Sequence, residues 1–166
     1  LNPSAHFEYE MILVTDGSAQ VQIHDRTYPL QRGSLLFISR LEQHQFCIVK
    51  EPYCRYVLSV SSDLLLSHLN EPRLASIFMQ RPEYFSHVVQ LNEEQLAYFL
   101  PFFQKSADEY EKQPDFYTLQ SIALLLSILI SLYRLYPNAF PMEDSSSLSA
   151  AVLNAQIYVS RHFNRK

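Results

Sequence analysis

The sequence predicts an α+β fold, with an antiparallel β-barrel or sandwich in front and a pair of long helices behind. Three observations carry this. From Leu1 to about Val60, apolar and polar residues alternate with a period near two, in the runs HFEYEMILV, AQVQIH, RTYPL, SLLFIS, HQFCIVK and CRYVLSV. Gly17 and Gly33, the two glycines of the chain, both fall between such runs, where Asp16-Gly17 and Arg32-Gly33 supply the positive φ of tight turns. Beyond residue 91 the spacing becomes helical, and Pro137 closes that stretch.

The 166 residues leave room for one domain and a short appendage. Apolar residues make up 48% and charged residues 18%, so a large core can be buried and disorder is excluded. A net charge of −4 argues against this chain gripping a phosphate backbone by itself. The N-terminus carries neither a basic cluster nor an apolar run, and Cys47 and Cys54 are the only cysteines, so a reduced, cytoplasmic setting is expected. A turn at Lys50 and Glu51 would bring those cysteines opposite each other on a hairpin, where a disulfide fits in an oxidising compartment. The apolar stretch from Leu119 to Tyr133 is interrupted by Ser121, Ser127 and Ser131 and falls short of a membrane span, so no membrane partner is expected.

Taken in order, the alternating runs read as about six or seven short strands. SSDLLLSHL and PRLASIFM follow as brief helices separated by Pro72 and Pro82, and FSHVVQL as a last strand. Residues 1–91 thus form the β unit. A helix starts at Asn92, with Gln95 completing a capping box, and carries Leu96, Phe99, Leu100, Phe103, Ala107 and Tyr110 as one apolar stripe. Pro101 inside it predicts a kink. The second helix runs from Asp115, its expected cap, to Tyr136, so the helical pair occupies 92–136. Gln120, Ser127, Ser131 and Arg134 form one polar strip on it, and the rest is apolar. Sheet and neighbouring helix cannot hide all of that surface, so Leu124, Leu125, Ile128, Leu132 and Leu135 are expected to serve a homodimer interface; a helix sunk in its own domain is the alternative. Residues 137–147 have the Pro, Ser and acidic composition of a linker. After it, 148–166 read as one amphipathic helix, with Leu148, Ala151, Val152, Ala155, Tyr158, Val159 and His162 on one face, the first helix of a further domain cut short.

Period-two alternation puts His6, Glu8 and Glu10 on one face of the first strand, as either a solvated edge or the lining of a polar pocket. His44 opens a later strand. No Gly-x-Ser-x-Gly turn and no phosphate loop is present, so no catalytic residue and no cofactor is assigned.

The residues also resemble a family. His6, three residues, Glu10, six residues, Gly17, then Gly33, ten residues, His44, look like the two motifs of cupin β-barrels. Three of four ligand positions match, Ser4 standing where metal-binding cupins start a His-x-His pair. Ser39 and Leu41 replace the Pro and Gly usual before the second motif's His. Over nearly its whole length the chain is similar to the N-terminal half of AraC-type transcriptional regulators. FEYEMILVTDGSAQVQIHDRTYPLQRGSLLFISRLEQHQF resembles their cupin barrel, the two long helices their dimerising pair, and Val152, Ala155, Tyr158, Val159, His162 and Phe163 the opening helix of their DNA-binding domain.

The resemblance implies a cupin-like jelly-roll barrel that binds a small effector, a homodimer, and DNA binding only through a C-terminal domain. His6, Glu8, Glu10 and His44 would supply polar contacts, and Phe46 and Tyr56 an apolar face. Carboxylates beside aromatic rings suit a polyol, so the expected effector is a sugar. The alternative is a metal-dependent cupin enzyme using His6, Glu10 and His44 as ligands. A third possibility is a dimerisation module whose barrel is vestigial.

Overall fold

The computed structural model describes residues 6–69 and 71–141, so the amphipathic segment 148–166 and most of the 137–147 linker lie outside the described residues. The strands are β1 (Tyr9–Ile23), β2 (Arg26–Gln31), β3 (Ser34–Ile38), β4 (His44–Val60) and β5 (Val88–Gln90). Helices α1 (Ser62–His68) and α2 (Pro72–Met79) separate β4 from β5, and α3 (Glu93–Lys112) and α4 (Tyr117–Leu135) form the helical pair. All strand pairings are antiparallel, in the order β2-β1-β3-β5, with β4 also on β1.

Up to Val60 four strands stand among the described residues where the alternation predicts six or seven, and two of the predicted turns lie inside strands; the last predicted strand is β5. Asp16-Gly17 does not end β1. The β1–β4 ladder shifts register between Val14 and Asp16, Asp16 and Ser18, and Ser18 and Ala19. These bulges move the buried set from Ile12 and Val14 to Ala19, Val21 and Ile23 without leaving the face, since all five belong to one apolar cluster. A phase break in the alternation therefore marks a bend, not a turn. Gly17 has φ +71°, and a Cβ there would collide with the Pro52 carbonyl and lie 2.5 Å from the Lys50 carbonyl oxygen. Arg32-Gly33, by contrast, is a turn as predicted, between β2 and β3. The expected turn at Lys50 and Glu51 also falls inside a strand, the 17-residue β4. Cys54 then faces Asp16 and Cys47 faces Gln20, so the two thiols are not cross-strand neighbours, and both are exposed and free.

The bent sheet has two apolar faces. Tyr9, Met11, Leu13, Leu35 and Phe37 pack toward the helices, with Phe78 from α2, Phe99 and Phe103 from α3, and Ile128, Leu129 and Leu132 from α4. The concave face gathers Ile12, Val14, Val21, Ile23, Leu30, Leu36 and Ile38, with Tyr28, Phe46 and Tyr53 at its margin.

The capping box at Asn92 and Gln95 is present, with both reciprocal bonds at 2.9 Å. Pro101 sits within a continuous α3. The buried stripe of α3 is Leu96, Phe99, Phe103 and Ser106, whereas Tyr110 is 77% exposed. Asp115 does not cap α4. Phe116 takes that place in the left-handed region without a side-chain bond. Leu124, Leu125, Ile128 and Leu132, predicted for a dimer seam, are taken up inside this chain, and Leu135 alone of the five is open, at 48%. The reason is that α2, α3 and the sheet all pack on that side of α4. By length and composition α4 could cross a membrane, and one face of it, Leu125, Ile128, Leu129 and Leu132, packs into the core of this chain.

Candidate functional site

Glu10 and His44 lie at opposite ends of the β1–β4 ladder, Glu10 facing Ser59 and His44 facing Ile23. The bend at residues 14–19 folds the ladder over and brings the two ends together. His6 joins them from just before β1, its carbonyl accepting the Leu41 N–H at 2.7 Å, so the loop between β3 and β4 holds it in place. One ligand atom each from His6, Glu10 and His44 then lies within 4.8 Å of the others.

The ring orientations follow from their backbone partners. Nδ1 of His6 lies 3.0 Å from the Glu8 carbonyl, and Nδ1 of His44 lies 2.9 Å from the Glu42 carbonyl. A carbonyl only accepts, so Nδ1 carries a proton in both rings. Nε2 of His6 stands 3.2 Å from Glu10 Oε2, and that nitrogen is buried without a hydrogen-bond partner. The Nε2 atom of His6 and the Glu10 carboxylate thus converge beside the His44 ring. Such a set is satisfied by donors or by a cation.

The predicted residues divide cleanly. His6, Glu10 and His44 form the cluster, and the Phe46 ring meets His44 edge-on at 5.8 Å. Glu8 contributes its carbonyl, while the residue itself is exposed. Tyr56 faces Leu13 on the other side of the sheet and lines a separate groove of about 530 Å³ with Leu58, Phe103, Tyr110, Tyr117 and Leu125.

Sequence reading missed three contributors. The Arg55 guanidinium stacks over Phe46 at 4.4 Å and lies 5.7 Å from the Tyr53 ring, and the Tyr53 hydroxyl is buried without a partner. Arg55 shares the concave phase of Val57 and Ser59, a signal legible in the alternation. Glu42 is the third. Burial alone would raise its carboxyl, but the His87 hydrogen bond, the Arg81 charge and the Ser39 amide together hold it at about 2. Nothing in its local sequence, RLEQH, announces this.

The AraC-like ligand binding domain family matches residues 2–129, most of the chain. The chain belongs to this family. No curated protein sequence matches it. Among solved structures, this AraC-like domain is similar to apo ToxT from Vibrio cholerae, in a lysine-to-alanine variant, at TM-score 0.55 and 10% identity. The alignment covers 99% of this chain and 60% of that one, so the chain spans about 60% of the length of the ToxT chain it matches. A second ToxT structure from Vibrio cholerae matches at TM-score 0.47 and 9% identity, over 98% of this chain and 60% of the other. The fold read from the sequence, a cupin-like antiparallel β-barrel followed by a pair of long helices, is found here as a curled antiparallel sheet, a half-barrel, with helices, the α+β fold of the ToxT neighbour.

Proposed function

We propose that this AraC-like domain is the effector-sensing and dimerising part of a cytoplasmic bacterial transcription regulator, a binding module with no catalytic role. Its effector is a polyol, most simply a sugar, held on the concave face by His6, Glu10 and His44 with Phe46 against its apolar side. DNA binding belongs to a domain beyond the described residues. The observation that carries the reading is the buried Nε2 of His6, without a hydrogen-bond partner and 3.2 Å from the Glu10 carboxylate, in a cluster with His44: hydroxyl groups supply donors to such a set. Arg55 and the Tyr53 hydroxyl add donors at the margin of the same face.

A thermal-shift screen of the protein against sugars and divalent metals, repeated on Glu10→Ala, tests this. A sugar at a hundred times its dissociation constant should stabilise the wild type by about 2.7 kcal/mol, and the shift should vanish in the variant. Flat curves with every sugar would sink the polyol assignment.

The same cluster favours a second reading. Two imidazoles and one carboxylate are a donor set for Fe, Mn, Ni or Zn, and both rings already have the carbonyl partners that orient metal-binding histidines. A shift with a metal alone, lost in Glu10→Ala, would move the site toward a metal-dependent cupin.

For the homodimer, the apolar residues of α4 left open are Leu119, Ile130 and Leu135, and the interface is proposed to run along them. Sedimentation at tens of micromolar should give a dimer, and Ile130→Glu should shift it to monomer. A monomeric wild type would remove dimerisation from the reading.

A further inference from the structure

Glu42 lies between β3 and β4 and is 7% exposed. A carboxylate this far from water persists only where its oxygens are occupied. Oε2 accepts the Ser39 N–H at 2.7 Å, and Oε1 stands 2.9 Å from His87 Nε2 and 3.2 Å from Arg81 Nε. Those partners are themselves fixed. Arg81 donates to the Ile77 and Gln80 carbonyls at the end of α2, and Nδ1 of His87 bonds the Tyr28 hydroxyl of β2 at 2.9 Å. The side chain of Glu42 is therefore clamped by the α2–β5 segment. Its main chain does something else: the Glu42 carbonyl receives the Nδ1 proton of His44.

We propose that Glu42 is a positioning residue for the ligand site: its clamped carboxylate fixes the carbonyl that sets the tautomer and ring orientation of His44. The His44 ring is thereby held edge-on to His6 at 5.1 Å and beside Glu10, and the α2–β5 segment becomes mechanically joined to that ring. The consequence for ligand binding rests on the proposed function, whereas the effect on the tautomer does not.

The decisive measurement is made without ligand. Long-range ¹H–¹⁵N spectra of the histidine side chains, recorded on the full chain at about pH 8, where an ordinary imidazole is neutral, report which nitrogen carries the proton. Wild-type His44 should be a single Nδ1–H tautomer. Glu42→Gln keeps one acceptor oxygen but sets an amide NH₂ against the donors of His87 and Arg81, so His44 should become a mixture of tautomers. Arg81→Ala reaches the same end by another route, leaving the carboxylate without its charge partner so that it turns toward water, and it decides the matter if Glu42→Gln does not fold. A His44 that stays wholly Nδ1–H in a folded variant of either kind would overturn the proposal. A polyol failing to bind would count against the effector assignment only, leaving the tautomer result intact.

Discussion

Gly17→Val is expected to unfold the domain or lower its melting temperature by roughly 10 °C or more. Gly17 sits at φ +71° inside β1, a conformation that costs an L-residue roughly 1–2 kcal/mol before any contact is considered. The larger effect is steric. A Cβ would run into the carbonyls of Pro52 and Lys50, backbone groups of the strand to which β1 is paired. Neither can move without breaking the bulge that brings Glu10 and His44 together, so a loss of about 4 kcal/mol or more is expected. Valine, branched at Cβ, does worse than alanine. Urea denaturation of the two variants beside wild type measures this. A Gly17→Val midpoint within error of wild type would mean that β1 does not bend through this residue.

Glu42→Ala should cost about 3–5 kcal/mol, because His87 and Arg81 would keep their buried positions without the carboxylate that satisfies them. The acid response of the wild type carries the same interaction. The carboxyl of Glu42 is held at about 2 in the folded chain against 4.5 for an unperturbed group. Its folded value is depressed, so protons bind the unfolded chain more readily. The stability it contributes is complete above about pH 4.5 and is lost as pH falls from there through about 2. That depression corresponds to about 3 kcal/mol. Part of it is offset by Arg81, whose guanidinium burial pulls below its ordinary value despite the carboxylate beside it, although it stays charged. Stability measured by urea titration between pH 5 and about 2 should therefore fall more steeply for wild type than for Glu42→Ala. Parallel acid profiles would show that the ion pairs at Glu42 contribute nothing net.

Much of the architecture was legible because each local signal has one physical cause. The capping box at Asn92, the Pro72 start of α2, the turn at Gly33 and the Pro137 stop were all read from single residues whose backbone preferences leave little choice. The strand count failed for an equally local reason. A bulge and a turn both break the period of two and both favour glycine, and only the identity of the partner strand separates them. Phe116 in the left-handed region likewise displaced the cap expected at Asp115. Of the site, alternation marks His6 and Glu10, and the resemblance to the two cupin motifs adds His44. Tyr56, expected beside Phe46, lies on the other face: the two stand on β4 on either side of the register shifts near Asp16 and Ser18, so their equal parity does not put them on one side. Glu42 was invisible because its importance comes from Arg81 and His87, about forty residues away in the chain.

The strand that carries all this is made before each of its partners. β1 hydrogen-bonds to β2, β3 and β4, and its longest partner, β4, begins at His44. During synthesis at roughly 5–20 residues per second, β1 leaves the ribosome with Ile12, Val14, Val21 and Ile23 uncovered, and the partner that closes it over the site follows seconds later. β2 can shield only its distal half early, through the local hairpin at His24 and Asp25. The half bearing Glu10 waits for β3 and the end of β4, so the end of the sheet that carries Glu10 is completed only after the β1–β2 hairpin has closed.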